Sequence, residues 1–168
     1  MPIEEIMKKM IDLAAGNHRD INHFMKVHSF AGTIGRMEGL DEETQYVLEA
    51  AAIVHDIACP LCREKYGNAA GALQEAESEP LVRDFFSGAD LPGRQLERIV
   101  FLVTHHHTYT GVDGMDYQIL LEADYLVNAD ESRYSGKEIA LFRKNVFRTA
   151  SGIALLNSVF CEELKGIG

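Results

Sequence analysis

At 168 residues, with 46% hydrophobic and 25% charged, the chain is long enough to bury a sizeable core and reads as one globular domain, 1–168. Its formal net charge of −10 disfavours duplex nucleic acid as a partner, because phosphate backbones are held by a basic face. No apolar run reaches the length of a membrane span, so no membrane partner is expected. The acidic opening Met1-Pro2-Ile3-Glu4-Glu5 is unlike a signal peptide, and three cysteines, an odd number, give no disulfide framework. A reducing cytoplasm is the expected compartment. Hydrophobic periodicity predicts helices over about 2–15, 20–38, 41–57, 68–87, 92–107, 116–130 and 136–164, the last broken near Gly152. Asp41 suits the N-cap of the third helix, with Glu42, Glu43 and Thr44 in its first turn. Loops are expected at Gly39-Leu40, Pro60–Gly67, Gly88–Pro92 and Thr110–Gly114. Nothing alternates with period two, and no repeat or linker interrupts the pattern, so the expected fold is an all-α bundle of about six to eight helices.

Within this apolar frame a few polar residues stand out. His55-Asp56 closes the run Leu48-Glu49-Ala50-Ala51-Ala52-Ile53-Val54. An imidazole beside a carboxylate in a buried segment is costly unless something compensates both, and a divalent metal is the natural candidate. His55 shares a helical stripe with Leu48, Ala51 and Ala52; His23 with Val27, Phe30 and Ile34; Asp124 with Tyr117, Leu120, Leu121 and Val127. One inward histidine alone is more often a hydrogen-bonded core residue, but a buried aspartate needs a partner for its charge.

The order of these residues resembles the HD superfamily of metal-dependent phosphohydrolases. Three segments carry the resemblance: His18-Arg19-Asp20-Ile21-Asn22-His23-Phe24-Met25-Lys26-Val27, Ala51-Ala52-Ile53-Val54-His55-Asp56-Ile57, and Ile119-Leu120-Leu121-Glu122-Ala123-Asp124-Tyr125-Leu126. The resemblance implies a catalytic core over about 18–130 and four metal ligands, His23, His55, Asp56 and Asp124. Such a mixed nitrogen and oxygen set suits one divalent transition metal, Mn, Fe, Co, Ni or Zn, better than Mg. The implied reaction is phosphomonoester or phosphodiester hydrolysis of a small phosphorylated metabolite, nucleotides included, by metal-activated water, with Asp56 orienting that water or taking its proton. His28 also precedes the His-Asp pair, but it falls five residues after His23, about 140° round the helix and on another face.

Family members with two metals use a histidine at a helix end resembling Thr104-His105-His106-His107-Thr108, and another soon after the His-Asp pair. Here no histidine lies between Asp56 and His105. One metal is therefore expected, with His105 and His106 binding substrate phosphate; a second metal through His105 or His106 is the alternative, and a solvated helix end the plain reading. Lys26, where the family has Arg, joins Asp56 in the expected catalytic set, and Arg63 and Lys65 are expected to bind the substrate anion. Cys59 stands three residues after Asp56, where a nucleotidase branch carries a catalytic Glu, which argues against that branch's mechanism. Cys59-Pro60-Leu61-Cys62 lacks the βαβ context of a redox motif and the further ligands of a zinc site. Gly111 and Gly114 give the Tyr109–Asp116 loop the makings of a lid. Two other functions share the fold: a dinuclear-iron oxidoreductase and a non-enzymatic ligand sensor. The sequence leaves substrate identity and oligomeric state open.

Overall fold

Eight consecutive residues, Val47 to Val54, are buried, which puts their helix through the middle of the molecule. The structure is a computed structural model that describes residues 1–167, and every regular element among them is an α-helix. These are α1 (Ile3–Leu13), α2 (His18–Met37), α3 (Glu42–Val54), α4 (Cys59–Tyr66), α5 (Gly71–Phe85), α6 (Gly93–His105), α7 (Met115–Glu131), α8 (Gly136–Asn145) and α9 (Ala150–Val159). The all-α expectation holds. No helix among the described residues is long and apolar enough to cross a membrane.

The starts of these helices follow from local chemistry. Asp41 caps α3 by accepting from the Thr44 amide at 3.0 Å, and Asn17 caps α2 by accepting from the Asp20 amide at 3.2 Å. Ser135 and Glu138 form a reciprocal capping box at the start of α8. The central layer is α2, α3 and α7, each packed on the other two. The α5–α6 pair covers α3 from one side, α1 covers it from another, and α9 closes over α7 and α2. On α7 every residue from Asp116 to Val127 is buried, so any polar side chain there must find a partner inside the protein.

Three boundaries differ from the periodicity, each for a visible reason. The third helix ends at Val54 rather than near Ile57, and the chain continues as a tight turn. Its i→i−3 bonds run from the Ile57 amide to the Val54 carbonyl, 3.0 Å, and from the Cys59 amide to the Asp56 carbonyl, 2.9 Å. His55-Asp56 thus sits at a helix end, where a change of backbone direction lets neighbouring side chains converge. The stretch expected as a loop over 60–67 is helical, because Pro60 occupies the first turn of α4, where its missing N–H costs nothing. Gly67, at φ 74°, ends it. The late break falls at Val146–Thr149 rather than at Gly152: Thr149 caps α9 by accepting from the Gly152 amide at 2.9 Å.

Candidate metal centre

Three helices deliver the four residues of the motif to one point. From His23 Nε2 on α2, the nearest polar atoms are His55 Nε2 at 3.2 Å, Asp124 Oδ1 at 3.3 Å and Asp56 Oδ2 at 3.4 Å. His55 Nε2 lies 3.5 Å from Asp124 Oδ1 and 3.7 Å from Asp56 Oδ2. His28, by contrast, reaches Glu49 at 3.1 Å and takes no part.

Hydrogen bonds on the far side of each ring fix what these atoms offer. His55 Nδ1 donates to the Ala52 carbonyl at 2.8 Å, so its Nε2 presents a lone pair. His106 Nδ1 donates to the Val103 carbonyl at 2.7 Å, with the same consequence. His23 Nδ1 is held by Glu131 Oε2 at 2.9 Å. Glu131 in turn accepts from Lys26 at 3.1 Å, and Asp124 Oδ1 accepts from Asn128 Nδ2 at 2.8 Å. Imidazole lone pairs and two carboxylates therefore face one another with too few donors among them. That arrangement is stable only with a proton or a metal cation in its centre, so the residues fit a divalent metal.

Two further lone pairs extend the cluster. His106 Nε2 lies 3.6 Å from Asp56 Oδ1, the oxygen turned away from His23, and both His106 Nε2 and His107 Nε2 are buried without a hydrogen-bond partner. Asp56, His106 and His107 form a second group of metal-ligand geometry that shares Asp56 with the group containing His23 and His55. His105 is turned elsewhere: its ring stacks on Phe101 at 4.2 Å and its Nδ1 faces the Phe101 carbonyl at 2.8 Å. The triple histidine therefore enters through His106 and His107, and the expectation for His105 is corrected. Helix α6 ends at His105 with His106 as its cap, so the wheel that would send consecutive residues about 100° apart no longer applies. Gly71, the first residue of α5, sets the position of His107: a Cβ there would lie 2.6 Å from the ring's Cγ. Gly71→Ala is expected to push the His107 ring aside and weaken the second group about tenfold to a hundredfold in metal affinity, with little change at His23, as read by titration with Mn.

Charge in the cluster follows from the same contacts. Burial would lower the His23 pKa, but the hydrogen bond to Asp124 and the charges of Asp56 and Asp124 outweigh it and raise it to about 9. Burial would raise Asp56, yet His55, His106 and His23 around it hold it well below the ordinary carboxylate range. Asp124 is likewise lowered, its burial overcome by the hydrogen bond from His23 and by the nearby imidazoles. Burial, and to a lesser degree the neighbouring His106 ring, lower His107 to about 4, leaving a neutral ring ready to ligate. A metal must displace the His23 proton. Metal affinity is therefore expected to climb about tenfold per pH unit between neutrality and the His23 pKa, with roughly one proton released on binding. Calorimetry in buffers of different ionisation enthalpy measures that release. For the metal-free protein the sign is opposite: the raised His23 pKa favours folding below pH 6.5, and this contribution fades as pH rises through about 9.

Solvent reaches the cluster through a cavity of ≈ 350 Å³ bordered by His23, Asp56, Arg19, Arg63, Asn68 and Gln74. Arg63 borders it while paired with Asp20. Arg19, which no motif or spacing singles out, has no ion pair among the described residues and also borders it. Lys65 is committed to Glu77 at 2.7 Å and does not line the cavity. Lys26 is corrected from a catalytic to a supporting position, since it reaches the site only through Glu131. Cys59 borders the cavity as a buried thiol whose pKa burial and the Asp56 charge push up, so it is a neutral wall rather than a nucleophile. The loop after His107 is tethered at both ends, by Thr108 on Glu75 at 3.0 Å and by Asp113 on Arg98 at 2.9 Å, which restricts lid movement to the few residues between. Comparison of the chain with family models, curated proteins and solved structures gives no match.

Proposed function

We propose that this domain is a metal-dependent phosphohydrolase acting on a small phosphorylated metabolite. The observation that carries the reading is the convergence of acceptor-type ligands on Asp56 at the floor of a cavity with two arginines on its walls. His23, His55, Asp56 and Asp124 would hold a divalent transition metal, which when bound would supply Lewis acidity and a more acidic water. Arg19 and Arg63 hold the remaining phosphate oxygens, Arg63 being steered by Asp20. Asp56 stays ionised, and its low pKa suits orienting a water more than storing its proton. Glu131 keeps His23 in the ligating tautomer. The second group supports loading with about two ions per chain, His107→Ala reducing this to about one, as measured by elemental analysis.

The decisive experiment reconstitutes the protein with Mn, Fe, Co, Ni or Zn and assays a broad panel of phosphomonoesters and phosphodiesters. Turnover that disappears in Asp56→Asn supports the reading; no turnover above that variant's with any metal sinks it. The shared carboxylate also favours a second reading, a dinuclear-iron oxidoreductase. Oxygen uptake by the two-iron form without phosphate release would select it.

A further inference from the structure

His107 is placed against Asp56 and His106 by something other than its own helix. Helix α6 ends at His105 with His106 as its cap, so the regular i→i−4 ladder stops before His107. The next residue closes a turn, Thr108 N–H donating to the His105 carbonyl at 2.8 Å. The His107 amide takes no backbone acceptor and donates instead to Glu75 Oε1 on α5, at 3.0 Å. The side chain at the same residue ends in an Nε2 that is buried without a hydrogen-bond partner, its ring 4.0 Å from that of His106. A ring with no hydrogen bond of its own to orient it depends on its backbone for its direction.

Helix α5 supplies that control through two residues one turn apart on one face, Gly71 and Glu75. Gly71 leaves the space that the ring fills, since a Cβ there would lie 2.6 Å from the His107 Cγ. Glu75 holds the main chain, and both its oxygens are given to the turn: Oε1 to the His107 amide, and Oε1 and Oε2 to the Thr108 hydroxyl at 3.0 and 3.2 Å. Hydrogen bonds to a carboxylate are stronger than those to a neutral acceptor. Glu77, two residues on, shows the contrast, being an ordinary ion-pair partner of Lys65 at 2.7 Å. From the opposite side Tyr117 donates to the His105 carbonyl at 2.8 Å and the Thr108 carbonyl at 2.6 Å, so the turn is clamped between α5 and α7. No histidine lies between Asp56 and His105, so α5 brings no imidazole of its own to the centre. It delivers one from the end of α6.

The geometry points to Glu75 as the positioning residue for the second metal ion: its bond to the His107 amide sets that imidazole beside Asp56 and His106. Glu75 acts through His107 and belongs to neither group of metal-ligand geometry. This rests on the two-ion form of the proposed phosphohydrolase, and it is read by metal binding rather than by turnover.

The test is a Mn titration followed by electron paramagnetic resonance, in which two ions sharing the Asp56 carboxylate give a coupled signal and a single ion does not. The parent is expected to take up about two ions. Glu75→Ala should weaken the second about tenfold to a hundredfold and leave the first unchanged. Glu75→Gln keeps an oxygen for the His107 amide and should stay within about threefold of the parent. In a His107→Ala background, adding Glu75→Ala should change nothing further, as expected of a residue that works only through His107. Thr108→Val removes the hydroxyl but not the amide bond, and should keep the second ion. A parent that binds one ion, a second ion of parental affinity in Glu75→Ala, or equal weakening of both ions there overturns the assignment. So does Gln falling as far as Ala, which would make charge rather than the bond decisive, or loss of the second ion in Thr108→Val. If the metal pattern is as expected and no phosphoester is turned over, Glu75 keeps its role and the hydrolase reading alone fails.

Discussion

Asp56→Asn is expected to remove metal and turnover together while leaving the fold intact. Asp56 is the residue common to both ligand groups, with Oδ2 toward His23 and His55 and Oδ1 toward His106. An amide of the same shape keeps one acceptor but turns the other position into a donor. That donor faces an imidazole lone pair, at His23 Nε2 or His106 Nε2, and satisfies it without a cation. The substitution therefore replaces a cluster that needs a cation by one that is content without. Activity is expected to fall about 10⁴-fold or to background, and bound metal to fall toward zero. The melting temperature of the metal-free variant should equal or exceed that of the metal-free parent, because a depressed carboxylate and its protonated partner have been exchanged for neutral hydrogen bonds. A variant that retains metal at parental stoichiometry, or activity within tenfold, would show that Asp56 is not the shared ligand. Lys26→Ala offers a contrast, since Lys26 touches Glu131 rather than the cluster. Its effect should be smaller, about tenfold, and should appear as altered metal affinity more than altered rate.

Much of this centre can be read from one-dimensional spacing, and the parts that cannot share a physical cause. His23 and Asp124 lie in the interior of long helices, where period 3.6 decides which way a side chain points, and both face inward as that period requires. The apolar run of α3 likewise announces a buried helix, although its end is hidden because Ile57 and Ala58 remain apolar after the backbone has turned. Where the chain leaves a helix, the wheel stops being informative. His105, His106 and His107 straddle such an exit, so the sequence points to the run and to His106, but to His105 where the structure has His107. Arg19 is a surface arginine like any other until the turn after α4 brings Gly67 and Asn68 across to form a pocket wall. Glu75 carries no pattern at all: a glutamate in an amphipathic helix is ordinary, and only the His107 amide donating to it reveals its place. Lys26 errs for the opposite reason. Its position on the helix is right, but a carboxylate about a hundred residues later in the chain captures it first, and no local pattern encodes that meeting.

Glu122 gives the largest expected effect on stability, because it is a fully buried carboxylate that organises the end of the chain. Its Oε1 accepts from the Arg148 amide at 2.7 Å, the Thr149 amide at 3.0 Å and Gln118 Nε2 at 2.7 Å. Its Oε2 accepts from the Thr149 hydroxyl. These bonds serve the backbone at the break between α8 and α9, and Thr149 then caps α9. Gly152 belongs to the same device, since a Cβ there would collide with the Glu122 carboxylate and lie 2.6 Å from Thr149 Oγ1. In Glu122→Ala, two backbone amides and a side-chain amide lose a charged acceptor inside the protein. Each such bond is worth about 1.5–3 kcal/mol, and water entering the space recovers part of it, so a net loss of about 4 kcal/mol is expected. For a domain of this size that lowers the melting temperature by roughly 10 °C. Glu122→Gln keeps an acceptor for the amides and should cost only about 1 kcal/mol. Glu122 and Asp124 are two residues apart on α7, about 200° round the helix, so the variants should bind metal with parental affinity at temperatures where they are folded. Equal destabilisation by Ala and Gln would mean that the negative charge, rather than the pattern of acceptors, holds α9 in place; a loss of metal affinity would mean that the two faces of α7 are coupled.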